Sequence, residues 1–250
     1  MVKRAMNRGK IYVVGTGPGK KKEMTLRALQ ALEEAEVVIG YRLYLELISE
    51  LLEGKKVISL GMRRELERCQ IALDEALQGK KVVLVSGGDA GIYGLAGALL
   101  QLLAKKDLAL EVDVIPGVTA ASAAAACLGA PLMHDFAAIS LSDLLTPWET
   151  IEKRLHMAGK GDFVIVLYNP GSRGRREQLK RAGRILLSYR PPRTPVGIVR
   201  NAGRDGEQKK IIFLEAMHRE EIDMSSTVIV GNSMSFLWRE KMITPRGYEL

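Results

Sequence analysis

Short apolar runs alternate with stretches of helical periodicity through the first half of the chain. The run at residues 81–85 (KVVLV) is continuous, as expected of a strand buried on both faces of a sheet. Strands that alternate with helices predict a mostly parallel sheet with helices on both faces. The predicted strands are residues 11–14, 36–39, 56–59, 81–85 and 110–115, and the predicted helices are 24–35, 41–52, 65–77 and one ending near 104.

The predicted helix at residues 65–77 indicates which of its faces is buried. Its apolar side chains Leu66, Cys69, Leu73 and Leu77 are three or four residues apart. Side chains at that spacing share one face of an α-helix. We therefore expect these four side chains to form a single buried stripe.

The second half of the chain has a different pattern, which predicts a mixed sheet. The loop NAGRDGEQ joins two apolar runs and has the character of a hairpin connection. The change of pattern near CLGAPLMH predicts two α/β domains, residues 1–130 and 131–250. The predicted strands are 136–141, 163–167, 196–199, 209–214 and 227–230, and the predicted helices are 148–157 and a basic one at about 175–188.

Composition excludes several classes of protein. The chain has 250 residues, 47% of them apolar and 26% charged, which is typical of a globular protein and not of a disordered or fibrous one. Cys69 and Cys127 are far apart, so we expect neither a disulfide framework nor a cysteine-based metal site, and a cytoplasmic location fits. The uncharged run 114–133 is rich in alanine and contains prolines, which predicts a strand end, a loop and a helix of small residues, not a membrane span.

The positive charge is concentrated in one segment. The formal net charge is +8, and ten Lys and Arg residues lie between residues 173 and 204 with one acid, Glu177. Such a segment attracts a polyanion, which could be nucleic acid, an anionic membrane or a small molecule with several carboxylates. A solvated helix face is the other interpretation.

Three glycine-rich loops follow predicted strands, at the position where open α/β sheets bind ligands. They are GTGPG at 15–19, SGGDAGIYG at 86–94 and PGVTAAS at 116–122. Glycine lets a backbone approach a ligand closely, although each loop could also be a plain turn or a helix start. The Asp89 carboxylate is expected either to accept a hydrogen bond from a ligand or to cap the following helix. None of the common nucleophile, phosphate or metal motifs is present, and His134 beside Asp135 is a candidate substrate contact.

Taken in this order and at these separations, the three loops resemble the signature of the tetrapyrrole methylases, the S-adenosylmethionine-dependent methyltransferases of cobalamin and sirohaem synthesis. The stretches HDFAAISLSDLLTPW, LYNPGSRGR, GIVRNAGR and TVIVGNS resemble the branch that methylates carbon 17 of precorrin-3B or cobalt-factor III with ring contraction. The resemblance runs from residue 10 to residue 238. It implies two α/β domains with the active site in the cleft between them, a homodimer and a carboxylate-rich tetrapyrrole substrate, with no nucleic-acid or membrane partner.

The resemblance also implies which residues form the site. No metal is expected, because methyl transfer from a sulfonium needs an aligned donor and a positioned nucleophile. Ring contraction moves protons, for which the candidates are Asp89, His134, Asp135 and Asp143. Arginines suit the carboxylate arms of the substrate, and the candidates are Arg173, Arg175, Arg200 and Arg204. S-adenosylmethionine, and its product S-adenosylhomocysteine, would contact Pro18, Gly87, Gly88, Asp89, Ile92, Thr119, Ala120, Asn169, Ala202 and Thr227.

Two other functions compete with this interpretation. Methylation at another carbon of a corrin or porphyrin intermediate would use the same loops. An RNA methyltransferase or a nucleic-acid-binding protein would use the basic segment to hold phosphates. Aromatic residues make up 5% of the chain, so stacking platforms for bases are scarce.

Overall fold

The computed structural model describes residues 9–171 and 177–249 of the chain. Strands and helices alternate up to Ala120, as the hydrophobic pattern predicts. The strands are β1 (Lys10–Gly15), β2 (Val37–Tyr41), β3 (Lys56–Leu60), β4 (Lys81–Ser86) and β5 (Glu111–Ile115), and the helices are α1 (Leu26–Glu34), α2 (Arg42–Leu47), α3 (Glu65–Leu77) and α4 (Ala96–Lys106).

These five strands form one parallel sheet in the order β3-β2-β4-β1-β5, with β4 at its centre. Successive side chains of β1 point to opposite faces of the sheet. Ile11 and Val13 pack in one core cluster with residues of α3 and α4, whereas Tyr12 and Val14 pack in another with residues of α1 and α2. The predicted parallel sheet with helices on both faces is therefore confirmed.

The buried face of α3 differs from the predicted stripe. Leu66 and Leu77 are 68% and 51% exposed. The face of α3 that packs on the sheet is rotated away from the predicted stripe. Small alanine side chains allow this, because they let the helix approach the strands more closely than leucines would. The packed face consists of Cys69, Ala72, Leu73 and Ala76.

In the described part of the second half, the chain forms two sheets, three α-helices and a 3-10 helix at Leu214–Arg219. Within the described residues, no helix combines the length and the apolar character needed to span a bilayer. The helices are α5 (Ala120–Leu128), α6 (Trp148–Lys160) and α7 (Glu177–Leu187), and the strands are β6 (Gly129–Ala130), β7 (Phe136–Ser140), β8 (Val164–Tyr168), β9 (Pro195–Arg200), β10 (Gln208–Phe213), β11 (Ser226–Val230), β12 (Phe236–Trp238) and β13 (Lys241–Ile243).

The larger sheet of the second half is mixed, as predicted. Its order is β10-β9-β11-β8-β7, in which β7 and β8 are parallel and the other neighbours are antiparallel. The loop NAGRDGEQ connects β9 to β10 as an antiparallel hairpin. Helices α6 and α7 pack on one face of this sheet, and α5 packs on the other.

The chain divides into two compact units after Ala120, whereas the sequence predicted a boundary after residue 130. The difference arises from α5, which was assigned to the first domain. Its side chains Ala121, Ala124 and Leu128 pack against Val166 and Ile229 of the second sheet. The small sheet β12-β13-β6 was not predicted either, because strands of two or three residues leave no periodic signal.

Candidate active site

The three glycine-rich loops lie together at the carboxyl edge of the first sheet. They follow β1, β4 and β5, which are adjacent and parallel. Gly17 and Gly88 exchange two backbone hydrogen bonds, each 2.9 Å long, and the Thr16 N–H donates to the Ser86 carbonyl oxygen. The first and second loops are thus joined to each other beyond the end of the regular sheet.

The third loop packs so closely on the other two that no side chain fits between them. A Cβ atom on Gly117 would lie 2.3 Å from the Gly88 carbonyl oxygen and 2.5 Å from the Gly15 carbonyl oxygen. A Cβ atom on Gly15 would lie 2.7 Å from the Gly117 nitrogen. Glycine is therefore required here for contact between backbones, in addition to any contact with a ligand.

Asp89 holds the second and third loops together. Its Oδ1 accepts hydrogen bonds from the N–H groups of Gly91 (2.7 Å) and Ile92 (3.0 Å), and its Oδ2 accepts one from the Gly117 N–H (3.1 Å). Of the two alternatives for Asp89, the helix cap does not hold, because α4 begins at Ala96 with Leu95 at its N-cap. Since both carboxylate oxygens accept backbone hydrogen bonds, the geometry favours a loop-forming role over proton transfer.

Replacement of Asp89 by alanine tests this role. The three backbone N–H groups would lose their acceptor, so we expect the affinity for S-adenosylhomocysteine to fall by about 1–3 kcal/mol, measured by calorimetry. The matched control is Asp74→Ala, which removes the same charge from an exposed position on α3 and should leave the affinity unchanged. Equal affinities of the Asp89 variant and the wild type would contradict the prediction.

The second loop is less crowded at Gly88 and partly exposed beyond it. Gly88 has a φ of 70°, which favours glycine, and the nearest atom to a Cβ built there would be the Ala120 nitrogen at 3.8 Å. Ile92 is 43% exposed, and Thr119 lies immediately before α5. Pro18, by contrast, is buried. The residues present thus fit a ligand that lies along the exposed backbone of the second loop.

A second group of predicted residues lies at one edge of the larger sheet in the other unit. Strands β7, β8 and β9 run in the same direction, because β11 is antiparallel to both β8 and β9 and β7 is parallel to β8. Asp143, Asn169 and Ala202 follow the carboxyl ends of these three strands. The Asn169 Nδ2 donates a hydrogen bond of 3.0 Å to the Ser140 Oγ, and Asn169 has a φ of 50°.

The predicted arginines and Thr227 have different environments. The guanidinium of Arg200 donates from Nε to the Asp223 carboxylate at 3.1 Å, whereas Arg204 lies in the turn after β9. Burial raises the pKa of Asp223, but hydrogen bonds from Ser225 and Ser226 and the charge of Arg200 outweigh this and leave the pKa below its usual value. Thr227 is buried within β11. Arg173 and Arg175 lie outside the described residues.

The structure separates the candidates for proton transfer that the sequence grouped together. His134 and Asp135 precede β7, so they lie at the amino end of the strand whose carboxyl end leads to Asp143. The His134 Nδ1 accepts a hydrogen bond of 2.8 Å from the Asp135 N–H, and the Asp143 Oδ2 accepts one of 3.0 Å from the Gln178 side chain. Of these three candidates in the second unit, Asp143 is the one that lies at the same edge as Asn169.

The sequence analysis missed two polar side chains at this edge. The Tyr168 hydroxyl accepts a hydrogen bond of 3.1 Å from the Ala121 N–H, and the Ser140 Oγ accepts from Asn169. Both residues end parallel strands. Tyr168 is the second residue of the LYNPG motif, which was a signal that could have identified it. Among the described residues, no group of three or more His, Cys, Asp or Glu side chains could hold a metal ion.

The fold and the loops define a class of α/β proteins with glycine loops at the carboxyl edge of a parallel sheet. Residues 10–217 match the family model of the Tetrapyrrole (Corrin/Porphyrin) Methylases. The chain belongs to this family and is a methyltransferase, as its loop motifs predicted.

Individual relatives agree with this assignment. The chain is 53% identical over 240 residues to a Salmonella typhimurium protein named probable cobalt-factor III C(17)-methyltransferase, covering 96% of this chain and 100% of the relative. The crystal structure of the methyltransferase CobJ superposes with a TM-score of 0.88 at 37% identity, covering 95% of this chain and 100% of that one. Uroporphyrin-III C-methyl transferase from Thermus thermophilus, solved with S-adenyl homocysteine, gives a TM-score of 0.70 at 28% identity, covering 89% and 97%.

Proposed function

We propose that this protein transfers a methyl group from S-adenosylmethionine to carbon 17 of cobalt-factor III or precorrin-3B in cobalamin biosynthesis, with contraction of the ring. The observation that carries the proposal is the 53% identity to the Salmonella typhimurium relative along that protein's whole length. The three interlocked loops support it independently, because they place partly exposed loop residues at a sheet edge where α/β folds bind ligands.

The loop residues of the first unit form the methyl-donor site in this proposal. S-adenosylmethionine supplies an electrophilic methyl group on a sulfonium, and the attacking carbon belongs to the tetrapyrrole. Gly88, Ile92, Thr119 and Ala120 contact the donor in this proposal, while Asp89 holds the second and third loops together. The protein contributes alignment of the two reactants, which requires no strong base for the transfer itself.

Methyl transfer to each substrate tests the proposed function directly. The protein is incubated with S-adenosylmethionine and either precorrin-3B or cobalt-factor III, and the product is analysed by mass spectrometry and by NMR with a labelled methyl group. We expect one added methyl at carbon 17. A methyl at another carbon would support the competing assignment within the family, and methylation of RNA without turnover of either tetrapyrrole would exclude the proposal.

Arg204 is the described arginine that we propose for binding a substrate carboxylate. It lies in the turn after β9, at the edge that also carries Asn169. Loss of a charged hydrogen bond in Arg204→Ala should raise the KM for the tetrapyrrole about tenfold, with the affinity for S-adenosylhomocysteine unchanged. Lys180→Ala is the control, since Lys180 pairs with Glu177 on the exposed side of α7. An unchanged KM would exclude Arg204 from the substrate site.

We also propose that the protein is a homodimer, as the family resemblance implies. Light scattering coupled to size-exclusion chromatography at micromolar concentration should give twice the mass of the chain. Addition of S-adenosylhomocysteine should leave that mass unchanged. A monomer mass under these conditions would contradict the proposal.

A further inference from the structure

Helix α2 lies against two of the three glycine-rich loops. A Cβ atom built on Gly87 would lie 2.6–2.9 Å from the Cζ, Cε1 and Cε2 atoms of the Tyr44 ring. A Cβ atom built on Gly19 would lie 2.8 Å from the Leu47 Cδ1. Tyr44 and Leu47 are three residues apart and therefore share one face of the helix, so this face contacts both the first and the second loop.

The Tyr44 ring gives a steric reason for the glycine at position 87. The φ angle of Gly87 is outside the left-handed region, in contrast to that of Gly88, so the backbone conformation does not require glycine there. The three atoms nearest to a Cβ on Gly87 all belong to the Tyr44 ring. A side chain at position 87 would therefore overlap the Tyr44 ring, which occupies the space that its Cβ atom would need.

The Tyr44 ring is itself held in place by its surroundings. It packs partly buried against the core cluster that contains Val38 and Val85. The Tyr41 ring meets it edge to face, with ring centroids 5.3 Å apart, a favourable arrangement for two aromatic rings. Tyr41 ends β2, which lies beside β4 in the sheet. The position of the ring is therefore set by β2 and by β4, and β4 carries the second loop.

We propose that Tyr44 is a positioning residue for the methyl-donor site, which it controls through Gly87. Gly87 is followed directly by Gly88, which pairs with Gly17, and by Asp89, which bonds to the third loop. A displacement of Gly87 would therefore shift both connections between the loops. This inference rests on the proposed function, since the site that Tyr44 shapes is the one assigned to S-adenosylmethionine.

A double-mutant cycle of Gly87→Ala and Tyr44→Ala tests the contact. The dissociation constant for S-adenosylhomocysteine is measured by calorimetry for the wild type, the two single variants and the double variant. We expect Gly87→Ala alone to weaken binding at least tenfold, because the new methyl group displaces the ring or the loop. In the Tyr44→Ala background the space is free, so the same substitution should change binding less than twofold. Tyr44→Phe keeps the ring and should bind within threefold of the wild type.

Two further measurements separate positioning from general stability. Leu51→Ala removes a partly buried apolar side chain from the same core cluster and should lower the melting temperature without changing the affinity. Tyr44→Ala should raise the KM for S-adenosylmethionine at least fivefold with little change in the KM for the tetrapyrrole.

The outcomes that would overturn the inference are distinct from failure of the proposed function. Equal losses of affinity from Gly87→Ala in both backgrounds would show that the ring does not set the position of the loop. An equal loss of affinity in Leu51→Ala and Tyr44→Ala would reduce the role of Tyr44 to core stability. Absence of S-adenosylhomocysteine binding by the wild type would overturn the proposed donor site itself.

Discussion

Gly117→Ala is expected to abolish measurable binding of S-adenosylhomocysteine and to lower the free energy of unfolding by about 3 kcal/mol. The added methyl group would overlap two backbone carbonyl oxygens, at 2.3 Å from Gly88 and 2.5 Å from Gly15. Backbone atoms cannot move aside as a flexible side chain can, so the third loop must separate from the other two. That separation would also break the hydrogen bond from the Gly117 N–H to Asp89. Urea unfolding and calorimetry measure the two effects.

Gly97→Ala makes the same chemical change and is the matched control, and its expected effect on the free energy of unfolding has the opposite sign. Gly97 is exposed near the start of α4, and a Cβ there would meet nothing closer than the Gln101 Nε2 at 4.0 Å. Alanine is the better helix former, so Gly97→Ala should raise the free energy of unfolding by about 0.5–1 kcal/mol. If the two variants have the same stability and affinity, the loops are not interlocked as described.

Arg190→Met is expected to lower the free energy of unfolding by about 3 kcal/mol, because it removes the donor from buried carbonyl groups. Arg190 is 5% exposed, and its guanidinium donates to the Gly159 oxygen at 2.7 Å and to the Phe163 oxygen at 3.0 Å and pairs with Asp162. Burial lowers the pKa of Arg190. Methionine keeps much of the apolar stem, so the measured loss would report mainly on the polar contacts.

Arg193→Met is the control for this second prediction. Arg193 is exposed and lies 5.1 Å from the centre of the Phe213 ring, a contact worth about 0.5–1 kcal/mol at an exposed site. The difference between the two arginine variants should therefore be at least about 2 kcal/mol in urea unfolding. Similar losses would show that the buried hydrogen bonds of Arg190 contribute little to stability.

The contacts of Arg190 also change the interpretation of the basic segment. Charge along the sequence suggests ten cations available to one anion, but several of them have partners within the fold. Arg190 is buried, Arg181 stacks on Trp148 with its guanidinium 4.4 Å from the ring centre, and Arg200 pairs with Asp223. The part of the segment that can serve a substrate is accordingly smaller than its charge implies. The substrate prediction rests on Arg204 because of its place in the turn after β9, at the edge that also carries Asn169.

The order of the longer strands and helices was predictable because apolar residues recur in the sequence with periods of two residues in strands and 3.6 in helices. The parallel first sheet, the mixed second sheet and the β9–β10 hairpin were all predicted from those periods and from turn residues. The buried face of α3 was not predicted correctly, because the hydrophobic pattern does not show how closely a helix approaches a sheet. Alanines at Ala72 and Ala76 pack on the strands, while Leu66 and Leu77 remain exposed.

The identity of the candidate loops was likewise contained in the sequence, since glycine clusters after apolar strands are a local signal. What each loop residue does was decided by contacts between segments far apart in the chain. Asp89 could be a cap or a ligand contact from sequence alone, and only the position of Gly117 beside it shows that it joins two loops. His134 and Asp143 are close in sequence, yet the extended strand β7 holds them at opposite ends. The sequence by itself determined the family, the loops and the order of the longer strands and helices, because these are local patterns, whereas the short strands β6, β12 and β13 were not predicted. The tertiary structure decided the surroundings of each glycine. Gly15 and Gly117 lie against backbone atoms of other loops, and Gly87 lies against the Tyr44 ring. These contacts form only when segments that are distant in the sequence pack together.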